Sequence, residues 1–214
     1  MNKLNFSKVL ALSPHTDDVE IACGGTIARL LRDGSMVKSV AFSGCEESVP
    51  PELPPSTLRE EFVAAHKELG VGSDDCDVLD FKVRHFPRLR QEILEEMVSL
   101  NRKHQPDLVL VPSSMDTHQD HFTIAEEAFR AFKKTTIWGY DCPWNQQYPR
   151  LNCFIKLDEE LINKKLAAIA EYKSQQFRGG YVNEEFIRAL ALLRGGQIGE
   201  PLGEAFEIVR YMHW

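Results

Sequence analysis

Two short segments carry residue types that could do chemistry together. Pro14-His15-Thr16-Asp17-Asp18 sets one imidazole and two carboxylates side by side, and Asp116-Thr117-His118-Gln119-Asp120-His121 adds two imidazoles at i and i+3 with further carboxylates. Two imidazoles and one carboxylate make an open site for a zinc ion, with a position left for water. Such an ion acidifies water and polarises a carbonyl, and a second carboxylate nearby can take the water's proton. Either segment alone has a plainer reading, as exposed acids or a helix-capping Asp. The chemical reading needs a fold that brings the two together.

The elements that would do so are legible as alternating apolar runs and amphipathic stretches. Strands are predicted at Lys8–Ser13, Val37–Ser43, Cys76–Phe81, Leu108–Pro112 and Thr136–Tyr140. Helices are predicted at Gly24–Arg32, Thr57–Leu69 (stopped by Gly70), Arg88–His104 and Thr123–Lys133. This βαβα order predicts an α/β, Rossmann-like three-layer fold with a mainly parallel central sheet and strand order 3-2-1-4-5. Strands one and four are then neighbours, and the crevice at their carboxyl ends is where open α/β sheets bind ligands. Each of the two segments follows one of those strands.

The pattern changes past about Asp141. A loop at 141–150, rich in Pro, Trp, Asn and Gln, leads to a strand at Cys153–Leu157 and helices at Glu159–Tyr172 and Glu184–Leu193. A turn-rich stretch at Gly195–Gly203 precedes a last strand at Ala205–Met212. We read one domain over 1–214, with a core at 1–141 and a substrate-side extension at 142–214.

Composition narrows the function classes. The 214 residues are 43% hydrophobic and 27% charged, an ordinary globular balance. The net charge of −7 argues against a nucleic-acid partner. No run is long enough for a membrane span, and the N-terminus reads as a buried strand rather than a signal peptide, so a cytoplasmic location is expected. Five scattered cysteines form no CxxC pair and read as small buried hydrophobes. The basic segment Lys82–Arg90 (KVRHFPRLR) could be a solvated loop, an anion contact or a subunit interface. Gly24-Gly25-Thr26, read as the opening of the first helix, matches neither GxGxxG nor a P-loop. Close packing of helix on loop is the preferred reading there, a phosphate cradle the other.

With both segments in place, HTDDVEIACGGTI resembles the HPDD signature of the PIG-L/LmbE-like N-acetylglucosaminyl deacetylases, and DTHQDH resembles their HPDH signature. LREEFVAAHKELGV, YKSQ and the terminal EAFEIVR extend the resemblance over nearly the whole chain. It implies zinc-dependent removal of an acetyl group from an N-acetylglucosamine-type sugar, with one zinc per chain held by His15, Asp18 and His121, a ligand set that other divalent metals such as iron(II), manganese and cobalt would also accept. It carries the general base onto Asp17 and the oxyanion or leaving-group histidine onto His118. Asp120 would orient a histidine from behind. Thr16 and Gln119 replace the prolines of the signatures, which touches loop rigidity and not the ligand set.

Arg59 is the expected contact for a substrate phosphate or hydroxyl. Tyr140, Trp144 and Asn145 are expected to line a sugar pocket, with Lys173, Ser174, Gln175 and Arg178 as weaker candidates. The small-molecule partner would be an N-acetylated sugar, and the 141–150 loop is compatible with a homo-oligomer. Two other readings stand beside this one. A metal amidase acting on a non-sugar amide would share every metal residue. A non-catalytic nucleotide-binding domain would leave both segments idle.

Overall fold

A computed structural model describes residues 2–178, 180 and 182–213. Seven strands form one sheet: β1 Lys8–Ser13, β2 Met36–Ala41, β3 Cys76–Val78, β4 Leu108–Pro112, β5 Thr136–Tyr140, β6 Cys153–Leu157 and β7 Leu202–Arg210. Their order is β3-β2-β1-β4-β5-β7-β6. The first five pair in parallel in the expected order, while β7 runs antiparallel between β5 and β6. The extension therefore completes the same sheet instead of forming a lobe beside it.

Six α-helices cover the sheet: α1 Asp18–Asp33, α2 Thr57–Leu69, α3 Arg90–His104, α4 Gln119–Ala131, α5 Glu159–Ala170 and α6 Glu184–Gly196. The central strands are apolar on both faces because both are covered. Val9 and Ala11 of β1, with Leu108 and Leu110 of β4, belong to a buried cluster shared with residues of α1, α2, α5 and α6. The alternate residues Leu10, Leu12, Val109 and Val111 belong to a second cluster shared with residues of α3 and α4. Leu10 and Leu110 are wholly buried, and trimming such a side chain to Ala costs about 2–5 kcal/mol. Helix α2 stops where Gly70 turns left-handed at φ 99°, its amide reaching back to the His66 and Lys67 carbonyls. No helix among the described residues is long and apolar enough to cross a membrane, and the five cysteines are free thiols.

The first helix departs most from expectation. It starts at Asp18, not Gly24, and leaves helical geometry at Cys23 (φ −141°, ψ 24°). Gly24-Gly25-Thr26 therefore reopens a helix in mid-course. Glu204 of β7 fills the opening. Its Oε1 accepts from Gly25 N at 3.0 Å, and its Oε2 accepts from both Thr26 N and Thr26 Oγ1 at 2.6 Å. Lys165 of α5 seals the other side, donating to Glu204 Oε1 at 2.6 Å and to the Ala22 carbonyl at 3.3 Å. A Cβ on Gly25 would lie 2.6 Å from Leu157 Cδ1 and 3.1 Å from Glu204 Oε1, so a larger residue would have to push the Leu157 side chain aside. The phosphate cradle is thereby corrected: a carboxylate of the chain itself takes the amides a phosphate would use.

Candidate active site

The order in which strands are added to the sheet reverses between the parallel neighbours β1 and β4, and both segments meet above that point. After β1 the loop 14–17 folds back so that the His15 amide donates to Asp18 Oδ2 at 2.9 Å. Asp18 opens α1, where a carboxylate suits the helix's positive end. After β4, Asp116 Oδ1 accepts from His118 N at 2.9 Å, and α4 begins at Gln119. That start lies four residues before the expected Thr123, so both histidines of the second segment belong to the helix's first turn or its cap.

Three donor side chains then converge. His121 Nε2 lies 3.3 Å from His15 Nδ1 and 3.2 Å from Asp18 Oδ1, while His15 Nδ1 lies 3.2 Å from Asp18 Oδ2. The other nitrogen of each imidazole is occupied. His15 Nε2 pairs with Asp120 Oδ2 at 3.1 Å, and His121 Nδ1 pairs with Asp116 Oδ2 at 2.8 Å. A carboxylate behind each ring, fixing which nitrogen faces inward, is how metal-binding histidines are usually held. The donor set thus fits a divalent cation, with His15, Asp18 and His121 as the residues that would hold it. His118 also brings a ring nitrogen within 4.8 Å of those of His15 and His121. Asp18 is preferred as the third ligand because its two oxygens touch both other donors. Asp116 and Cys142 lie on the far side of His121, where Nδ1 is already engaged.

Charge follows this geometry. Burial opposes charging His15, yet the carboxylates of Asp18 and Asp120 raise it to about 9. His121 is likewise held well above the ordinary imidazole value, against burial, by Asp18 and Asp116. Burial works to raise Asp18, but His121 and His15 overcome it and hold its carboxyl far below the usual range. Asp17 moves the other way. Burial and the adjacent Asp18 push it up to about 7, and its side chain makes no capping bond at the helix start. His118 is lowered by burial and by the neighbouring His121 and His15. Its Nδ1 accepts from the Asp120 amide at 3.3 Å, so the neutral ring carries its proton on Nε2.

Asp17, His118 and the three converging residues line one cavity of about 150 Å³, with Arg84, Trp144, Asn145 and Gln175 also in its wall. Sites for drug-sized ligands hold roughly 300–1,000 Å³. This one accepts the end of a molecule, with the remainder at the mouth. The loop carrying Trp144 and Asn145 is latched to the second segment, since Thr117 donates through N and Oγ1 to the Asn145 carbonyl at 3.0 and 2.7 Å.

Two expected substrate contacts are absent from the cavity wall. Arg59 is a staple: Nε meets Glu46 at 2.8 Å, Nη2 meets Asp80 at 2.6 Å and Nη1 meets the Val78 carbonyl at 2.9 Å. It joins the loop after β2 to the end of β3, and its charge is spent there. Tyr140 is fully buried and donates to the Leu12 carbonyl at 3.1 Å, which makes it a tie between β5 and β1. Lys173 pairs with Glu171 at 3.5 Å. Ser174 binds Glu61 through N and Oγ, and the Arg178 side chain lies outside the described residues. Asp116 is the residue that sequence reasoning missed. Its signal was present as an Asp two residues before His118, the spacing of an Asx-turn.

Comparison with known proteins bears on the same residues. The family profile described as GlcNAc-PI de-N-acetylase (PIG-L) matches residues 10–132, a span that includes both segments and more than half of the chain. The chain belongs to the PIG-L family of deacetylases. The diacetylchitobiose deacetylase of Thermococcus kodakarensis is 34% identical, over 96% of this chain and 84% of that protein. Among solved structures, an N,N'-diacetylchitobiose deacetylase from Pyrococcus horikoshii in complex with its inhibitor aligns with a TM-score of 0.81 and 25% identity. It covers 96% of this chain and 84% of that one. GalB, a 4-carboxy-2-hydroxymuconate hydratase from Pseudomonas putida KT2440, also aligns at 0.81, with 21% identity over 97% of this chain and 98% of its own. That likeness is one of fold alone, and it shows that the PIG-L fold carries other chemistry too.

Proposed function

We propose that this chain is a zinc-dependent hydrolase that removes the acetyl group from an N-acetylglucosamine-type sugar or conjugate, giving free amine and acetate. The observation that carries the reading is the convergence of His15 Nδ1, Asp18 and His121 Nε2 within 3.3 Å of one another, with Asp17 beside them in a small cavity. The deacetylases of T. kodakarensis and P. horikoshii support the substrate class, and the cavity volume suits an acetamido end.

His15, Asp18 and His121 would hold the ion. A zinc ion bound there supplies Lewis acidity, which polarises the amide carbonyl and acidifies water. The residues of the chain do the rest. The Asp17 carboxylate takes a proton from the attacking water and returns it to the nitrogen as the C–N bond breaks. Burial and Asp18 raise Asp17 in the metal-free chain, and a dication on Asp18 would offset that repulsion and keep the carboxylate ionised to accept the proton. His118 donates from Nε2 to the carbonyl oxygen as negative charge builds there. It acts neutral, because a second proton on Nδ1 would face the Asp120 amide hydrogen. Proton delivery to the nitrogen therefore falls to Asp17, and His118 is an oxyanion donor.

The nucleotide-binding reading loses its main support, since Glu204 occupies the Gly25 and Thr26 amides. An amidase acting on non-sugar amides would share the same ligands. The deciding experiment pairs elemental analysis of wild type and His15→Ala with amine release from N-acetylated sugars. About one zinc per chain, lost in the variant, with release from a sugar amide, supports the proposal. A chain that takes up no zinc after reloading, or that hydrolyses only non-sugar amides, overturns it.

A further inference from the structure

The basic segment 82–90 reaches the cavity at Val83 and Arg84, and of its charged residues Arg84 alone lies in the wall. Among the described residues, Arg84 is the only lysine or arginine in the cavity wall; it is exposed at the mouth, and its guanidinium has no ion-pair or hydrogen-bond partner among those residues. Other arginines near the site are spent, Arg59 on Glu46 and Asp80 and Arg90 on Glu127.

The backbone at Arg84 is built, not incidental. It is left-handed at φ 67°, a conformation that costs a residue with a Cβ roughly 1–2 kcal/mol and that Gly or Asn would take more cheaply. Asp120 holds it there. Its Oδ2, the atom that orients His15, also accepts from Arg84 N at 2.6 Å, and its Oδ1 accepts from Phe86 N at 3.3 Å. One carboxylate thus fixes both an inward-facing imidazole and the mouth guanidinium. Among the described residues, three non-glycine positions have positive φ: Cys45, Arg84 and Gln105. Gln105 caps α3, while Cys45 and Arg84 both line the cavity. Strain retained at a cavity wall, with a free guanidinium on it, points to ligand recognition.

Resting on the deacetylase reading, we infer that Arg84 selects substrates bearing an anionic oxygen group, phosphate or carboxylate, on the sugar that carries the N-acetyl group. A planar guanidinium binds such a group through paired, charge-assisted hydrogen bonds. Away from the three converging residues, the described wall offers an anion the neutral amides of Asn145 and Gln175 and no guanidinium or ammonium other than that of Arg84.

The test compares N-acetylglucosamine, its 6-phosphate and N-acetylmuramic acid, by kcat/KM and by calorimetric Kd, on zinc-loaded wild type, Arg84→Asn and Arg84→Lys. Asn keeps the left-handed backbone without the charge. Arg88→Asn, in the same segment but outside the cavity wall, controls for general charge. Wild type should favour one anionic sugar by about tenfold or more, the phosphate and carboxylate arms showing which. Arg84→Asn should collapse that preference through KM, Arg84→Lys should restore part of it, and Arg88→Asn should retain it. Equal treatment of neutral and anionic sugars by wild type, or a preference that survives Arg84→Asn, overturns the inference. If nothing is hydrolysed yet the anion preference appears in Kd and vanishes in Arg84→Asn, the deacetylase reading falls and this one stands.

Discussion

Asp116 Oδ2 lies 2.8 Å from Nδ1 of His121 and turns the other ring nitrogen toward His15 and Asp18. The same carboxylate receives the His118 amide through Oδ1, so one side chain sets both histidines of the second segment. Substituting Asp116→Asn should weaken zinc binding by about 10–100-fold, measured by competition against a chelator of known affinity. Unchanged affinity would show that His121 is oriented by packing alone.

Asp17→Asn separates chemistry from metal binding. The carboxylate makes no bond to either imidazole, so zinc content should stay near that of wild type. The rate constant kcat should fall by about 10²–10⁴-fold with the loss of a proton acceptor. Full turnover in this variant would reassign the base.

Metal affinity should depend on pH with a definite sign. In the metal-free protein His15 keeps its proton up to about 9, and His121 is also raised. The ion must displace those protons, so affinity rises with pH up to about 9, by about tenfold per unit for each proton released. Calorimetry in buffers of different ionisation enthalpy counts the protons. Affinity that is flat between pH 6 and 8 would mean that the imidazoles are already neutral.

The Lys165–Glu204 pair is nearly inaccessible, its side chains 3% and 4% exposed. Removing one partner leaves a buried charge, and Lys165→Met should destabilise the protein by about 3–5 kcal/mol. Lys165→Met combined with Glu204→Gln should recover part of that loss in denaturant titrations. A double variant no better than the single one would mean that Glu204 matters mainly as the cap of Gly25 and Thr26.

The sequence made the sheet readable because β1 and β4 are continuous apolar runs and their order follows from right-handed crossovers. It made the meeting of His15, Asp18 and His121 readable because their segments come soon after those two strands, and the structure brings the three side chains within 3.3 Å of one another. What it hid was tertiary. The glycines at 24–25 looked like a helix start because the partner that breaks and recaps α1, Glu204, stands about 180 residues away. Arg59 looked free because Glu46 and Asp80 close on it from two different loops. Tyr140 looked like a pocket aromatic because nothing local reveals that its hydroxyl faces the Leu12 carbonyl.

The mended break in α1 also has a temporal side. The metal-facing side chains and Asp17 all lie within the first 121 residues, yet the turn of helix that presents Asp18 is fastened by Lys165 of α5 and Glu204 of β7. Tyr172, which bonds to the Thr16 carbonyl and to Glu20, adds a third late fastening. A chain growing from its N-terminus on the ribosome can therefore display His15, Asp18 and His121 long before it can hold them in register. Their alignment is complete only when the last strand slides in between β5 and β6.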